Sequence, residues 1–142
     1  MSGPGRLPVV FPPETDERLS SWIARMAPFY AMTVPEFVAE LGLPGRYMFD
    51  LEWRLSEGQG ALIGHRTGLS EAAVQAMTFR DVVPEARMII ARKNRGHCPL
   101  CPTDVHRKPA ALPWAFRCPV HSLKLREAGG LTLSQTLSPE RF

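Results

Sequence analysis

No stretch of this 142-residue chain holds the roughly 20 consecutive apolar residues that a membrane-spanning helix needs, so no bilayer crossing is expected. The opening segment MSGPGRLPVVFPPETDE has neither a charged n-region nor a long apolar h-region, which argues against a secretory leader. Internal repeats and low-complexity tracts are absent as well. Cysteine is limited to three residues, and a disulfide framework would leave one thiol over. The expected setting is the cytoplasm, where thiols stay reduced and clustered Cys and His residues bind metal more often than they form disulfides.

What little cysteine there is sits in one place. The segment HCPLCPTDVHRKPAALPWAFRCPVH, residues 97–121, holds all three cysteines and three of the four histidines. Cys98-x2-Cys101 and Cys118-x2-His121 form two knuckles, and two residues between ligands let one tight turn supply two corners of a zinc tetrahedron. Pro99 and Pro119 restrict the backbone of both turns, and neighbouring amides can donate to the thiolates. His97 and His106 are rival fourth ligands, but His97 adjoins Cys98 and points away in most turn geometries, while His106 lies in mid-loop. Three thiolates and a neutral imidazole give a net charge of −1, with Arg95, Lys108 and Arg117 the cations expected to offset it. Trp114 and Phe116 are expected to pack on the site.

Four filled positions make a closed, structural zinc site with no room for an activated water. A zinc-dependent nuclease using Asp104 and His106 is therefore disfavoured, and no unligated thiolate remains for nucleophilic chemistry. His65 with Glu71 or Asp81 is a scatter of polar residues rather than a catalytic set. No enzyme activity and no catalytic residue are expected.

Charge is divided along the chain. Residues 80–126 carry ten Lys and Arg against three Asp and Glu, whereas residues 1–79 carry six against nine. A basic segment around the knuckles points to a polyanionic partner, most simply nucleic acid. The candidate contacts with nucleic acid or a partner are Arg92, Lys93, Arg95, Arg107, Lys108 and Arg117.

The first ninety residues read as helical. Leu19, Trp22, Ile23 and Met26 recur at the spacing of a buried helical stripe, with Thr15 or Asp16 as the cap and Pro28 near the end. Thr33 caps a second helix with Pro35 in its first turn and Gly42 as its stop. A short helix through Leu51, Trp53 and Leu55 is the third expectation. In ALIGHRTGLSEAAVQAMTF one helix ends near Thr67-Gly68 and Ser70 caps the next, with Leu62, Ile63, Leu69, Val74 and Met77 facing inward. That is a helix-turn-helix pattern. As a DNA-reading element it would expose Glu71, Gln75, Thr78 and Arg80. ARMIIAR is expected to be a short strand or helix leading into the knuckles.

These elements together resemble the TniQ family. LPVVFPPETDERLSSWIARMA matches its opening, with Glu17, Leu19, Ser21, Trp22, Arg25 and Ala27 filling the pattern. The Thr-Gly-Leu-Ser helix pair and the segment HCPLC…WAFRCPVHSLKL match its later parts, so that the resemblance spans residues 7–125. It implies a role in selecting transposition targets. Such proteins link a target-recognition element, either DNA or an RNA-guided CRISPR effector, to an AAA+ ATPase regulator that recruits the transposase. Ser122 stands where the family often has Gly, and the last ligand falls at His121 of 142 residues. The brevity of the chain after His121 is like that of the small TniQ proteins of CRISPR-associated transposons rather than the longer members that bind attachment-site DNA.

The expected architecture is mainly α. A helical domain with a helix-turn-helix corner occupies residues 1–90, a zinc-ribbon-like zinc finger residues 91–126, and a fraying tail residues 127–142. The expected function is a non-catalytic transposition adaptor with a structural Zn2+. Its partners would be the ATPase regulator, DNA or a guide-RNA effector complex, and indirectly the transposase, with no membrane. A helix-turn-helix transcription regulator with a structural zinc is the alternative.

Overall fold

The computed structural model describes residues 5–43, 48–53, 55–91, 94 and 96–127. Arg92, Lys93 and Arg95, and the tail from residue 128 onward, lie outside them. The architecture is mainly helical. Five α-helices run in order: α1 (Leu19–Phe29), α2 (Val34–Glu40), α3 (Met48–Trp53), α4 (Glu57–Thr67) and α5 (Glu71–Ala76). ARMIIAR overlaps a 3-10 helix, Pro84–Ile89. Beyond it, β1 (Gly96–His97) pairs antiparallel with β2 (Arg126–Glu127), closing the ends of the knuckle segment on each other. No helix among the described residues is long and apolar enough to cross a membrane.

The α1 stripe is buried as its spacing predicts. Leu19, Trp22, Ile23 and Met26 anchor a core that also takes Phe37, Val38 and Leu41 from α2 and its end, Ile63 from α4, and Val74 from α5. Leu62 and Leu69 pack against it only partly buried. Thr33 caps α2 in a reciprocal capping box with Glu36, and Ser56 does the same for α4 with Gln59. Such boxes satisfy two otherwise orphaned amides at each helix start.

Neither Thr15 nor Asp16 caps α1. Asp16 adopts a left-handed turn (φ 57°), and the N-cap is Arg18, which makes no side-chain cap. The orphan donors are satisfied from elsewhere in the fold instead. Ser20 N–H donates to Glu52 Oε2 at 2.7 Å. Leu19 N–H donates to the Met77 carbonyl at 2.9 Å, and Arg18 N–H to the His106 carbonyl at 3.0 Å. A carboxylate at this position also complements the positive end of the helix dipole. The start of α1 is therefore fixed by α3, by the end of α5 and by the knuckle loop.

The Pro-rich arm lies across α1. Trp22 Nε1 donates to the Phe11 carbonyl at 2.7 Å, Phe11 N–H approaches Met26 Sδ at 3.3 Å, and Tyr30 Oη accepts from Val9 N–H at 3.0 Å. At its near end Leu7 N–H donates to the Arg66 carbonyl at 2.7 Å, so the arm ties α4 to α1.

α4 and α5 pack closely around the left-handed Gly68 (φ 79°). A Cβ on Gly64 would sit 2.8 Å from the Leu69 carbonyl oxygen, a backbone approach that only glycine permits. α5 is six residues long. Of the four side chains expected on its outer face, Gln75 is 6% exposed and Thr78 0%. Both are tied to neighbouring backbone, Gln75 Nε2 donating to the Leu55 carbonyl and Thr78 Oγ1 to that of Gln75. Only Glu71 and Arg80 reach solvent.

Candidate metal centre

Cys98, Cys101, Cys118 and His121 come together with all four donor atoms within 4.8 Å of one another. His121 Nδ1 lies 3.3 Å from Cys98 Sγ, 3.5 Å from Cys101 Sγ and 3.6 Å from Cys118 Sγ. Cys101 and Cys118 Sγ are 3.6 Å apart. The three sulfurs are buried. The cluster can hold a metal ion. The cavity beside it measures about 10 Å³, at or below the space a single water needs (about 10–15 Å³).

Each knuckle aims its own amides at sulfur. Leu100 N–H donates to Cys98 Sγ at 3.4 Å. Val120 N–H and His121 N–H donate to Cys118 Sγ at 3.3 Å and 3.4 Å. Burial alone would push the Cys118 thiol up. The His121 and Val120 amides, the His121 ring and the Cys101 thiol outweigh that and hold it down at about 6. Burial raises the neighbouring Cys101, with the Arg107 guanidinium pulling against it.

Cys101 takes its N–H from a side chain. Arg107 Nε donates to Cys101 Sγ at 3.4 Å, while its Nη1 donates to the Thr15 carbonyl. At 7% exposure, Arg107 faces the sulfurs rather than the surface expected to meet a polyanion. It takes an offsetting role that was expected of Lys108 and Arg117, while Arg95 lies outside the described residues. Nothing in the local sequence announces this, because the anchoring carbonyl lies 92 positions away. Lys108 also turns inward, its ammonium donating to the Ala76 carbonyl at 2.8 Å and meeting Asp81 at 3.4 Å. Arg117 is exposed, its Nη1 donating to the Ser122 carbonyl at 2.9 Å.

The rival ligands stand apart from the cluster. His97 and His106 meet edge to face with ring centroids 5.8 Å apart. Burial, then the neighbouring His97 and Arg18, lower the His106 pKa. Trp114 and Phe116 do not pack on the site. They are 56% and 62% exposed.

Ser122 has a left-handed backbone (φ 59°), which explains why glycine suits this position. Its N–H closes the second knuckle on the Cys118 carbonyl at 2.9 Å. Relieving a left-handed non-glycine residue is worth about 1–2 kcal/mol before the greater freedom of an unfolded glycine is subtracted. Ser122→Gly should therefore raise the unfolding free energy by up to about 1 kcal/mol, read as a higher denaturant midpoint, without altering metal content. A lower midpoint would contradict this.

A helical unit whose first helix is held by the backbone of a Cys3His knuckle pair defines a helical protein with a built-in cluster that can hold a metal ion. The family model of TniQ matches residues 8–125, and the chain belongs to the TniQ family. No curated protein and no solved structure gives a match.

Proposed function

We propose that the chain is a non-catalytic transposition adaptor carrying a structural zinc. It would link target-site recognition, by DNA or an RNA-guided effector, to an AAA+ ATPase regulator, and through it to the transposase. Family membership supports the transposition role. The donor set supports zinc, since tetrahedral bonds of about 2.3 Å to sulfur and 2.0 Å to nitrogen imply donor spacings of about 3.5–3.8 Å. Four of the six observed spacings are 3.3–3.6 Å, and all six lie within 4.8 Å. With every ligand position filled by protein, the zinc would hold the segment's shape and perform no chemistry.

One observation carries the adaptor reading. The knuckle segment exposes Leu100, Trp114, Phe116, Val120 and Leu123, alongside the exposed cations Arg117, Lys124 and Arg126. Large apolar side chains concentrated on a rigid segment favour a protein partner. The cations favour one with an acidic rim, and we assign this face to the ATPase regulator. Direct phosphate contact would fall to Arg92, Lys93, Arg95 and Arg117. A transcription regulator reading bases through α5 retains only Glu71 and Arg80 for the purpose, and no basic face there.

Titrating labelled duplexes with and without the ATPase separates the readings. The isolated protein is expected to bind DNA weakly and without sequence preference, with each neutralised phosphate adding about −0.9 to the log–log salt slope. Trp114→Ala with Phe116→Ala should weaken ATPase binding about ten-fold or more, as loss of central aromatic anchors does, with zinc content unchanged. A nanomolar specific operator that survives physiological salt without a partner would overturn the adaptor reading.

A further inference from the structure

Of the three sulfurs, two are served by the turns that carry them. Cys98 receives the Leu100 amide, and Cys118 receives those of Val120 and His121. Cys101 is served from outside its own knuckle, by the Arg107 guanidinium. A three-thiolate site with one neutral imidazole carries one net negative charge once a divalent ion is bound, and a buried guanidinium against one thiolate cancels it.

Arg107 is also the end of a chain of contacts that runs into the helical core. Its Nη1 holds the Thr15 carbonyl, and its own carbonyl accepts from Asn94 Nδ2 at 2.9 Å. Asn94 Oδ1 in turn accepts from Arg18 Nη1 at 2.7 Å. Arg18 closes the chain on Glu52 with two bonds, Nε to Oε2 at 3.0 Å and Nη2 to Oε1 at 2.8 Å. Glu52 is the carboxylate that caps α1 through Ser20. Every link from the Cys101 sulfur to the start of α1 is a polar contact, and Arg18, Glu52 and Arg107 are all buried.

We infer that Arg107 is a positioning residue that couples metal occupancy to the docking of the α1 N-terminus on the knuckle segment. This rests on the zinc reading above and goes beyond it. The ion fixes the place of the Cys101 sulfur, the sulfur receives the guanidinium, and the guanidinium holds the Thr15 carbonyl within the Glu14–Glu17 turn. Removing the ion unties that sulfur and, with it, the guanidinium. The arrangement docks the adaptor's two halves more tightly when loaded.

The test uses the full chain with Zn2+ alone as the probe, competed against a metallochromic chelator, and iodoacetamide labelling read by mass spectrometry. Arg107→Gln should weaken Zn2+ binding about ten- to hundred-fold, as loss of an outer partner does. It should also raise alkylation at Cys101 ahead of Cys98 and Cys118, with Arg107→Lys recovering part of both effects. In the unaltered chain, chelation should speed hydrogen exchange at the Arg18 and Lys108 amides, which donate to His106 and Asp16 across the junction. Zn2+ affinity within two-fold of the unaltered chain, equal alkylation of all three sulfurs, or unchanged exchange at those amides after chelation would overturn the coupling. An unaltered chain that binds no Zn2+ would overturn the zinc reading as well.

Discussion

Replacing Cys118 with serine is expected to release the metal ion and loosen residues 96–127. The reason is how little structure of its own that segment has. Its strands are two residues each, and the cluster at its centre consists of the three cysteines with Leu125 partly buried against them. A structural zinc contributes on the order of 10–16 kcal/mol of apparent binding energy, far beyond what so small a core supplies. Elemental analysis of the purified variant should find no stoichiometric metal, and amide exchange across the segment should approach that of the chelated protein. His106→Ala should keep the ion, because that ring faces His97 rather than the sulfurs. The pH dependence has a definite sign. Cys118 is held at about 6 in the folded chain, below the roughly 8.5 of an ordinary thiol. The stabilisation from its thiolate is complete above the unfolded value and is lost as pH falls through about 6. Metal binding displaces protons, so acid should release the ion in the same direction. Full metal retention in Cys118→Ser, or loss of metal from His106→Ala alone, would refute the ligand assignment.

The parts of this molecule that were legible in the sequence are those whose cause is local. A side-chain cap lies within four residues of the amide it serves, so Thr33 and Ser70 declare their helices unaided. A buried stripe is a period, so Leu19, Trp22, Ile23 and Met26 declare a core face, and the double x2 spacing declares the ligands. The start of α1 was misread because its cap is not local. Glu52, Met77 and His106 satisfy its amides from three distant points, and Asp16 is left free to make a left-handed turn. The inward turn of Arg107 and Lys108 escaped the sequence for the same reason. Composition counts Arg107 and Lys108 as surface charge, and only the fold reveals the sulfur and carbonyls that draw them inward. Trp114 and Phe116 erred in the opposite direction, since adjacency to a ligand does not decide which side of a turn faces the metal.

The family's opening motif acquires a physical meaning in the same network. Glu17 is buried and accepts from Ser21 Oγ at 2.6 Å and from Arg25 Nη2 at 2.8 Å. Ser21 Oγ also accepts from the His106 N–H at 2.9 Å. Its polar members thus hold the arm, α1 and the knuckle loop together, while its apolar members fill the core. A buried pair broken on one side costs about 3–5 kcal/mol because the remaining charge is stranded. That accounts for an acidic residue and an arginine eight positions apart standing in a motif otherwise made for packing.

The aromatic of that motif sets the largest expected effect on folding outside the metal site. Trp22→Ala should destabilise the chain by about 3–5 kcal/mol, the range for truncating a large core aromatic. Trp22 is 0% exposed, and Leu19, Ile23 and Met26 share its core, so the vacated volume has little freedom to collapse. The indole also does something a phenyl cannot, donating Nε1–H to the Phe11 carbonyl of the arm. Trp22→Phe should keep most of the packing and lose that bond, costing about 0.5–1.5 kcal/mol for the hydrogen bond plus a smaller cavity term. The two variants thus separate the core from the strap. Both should be measured by urea unfolding with zinc present, so that metal loss does not enter the comparison. The arm should become more open to proteolysis in Trp22→Phe while the knuckles stay closed. Unchanged stability in Trp22→Ala would mean that the indole contributes nothing to the core, and the helical stripe would then be a contact surface instead.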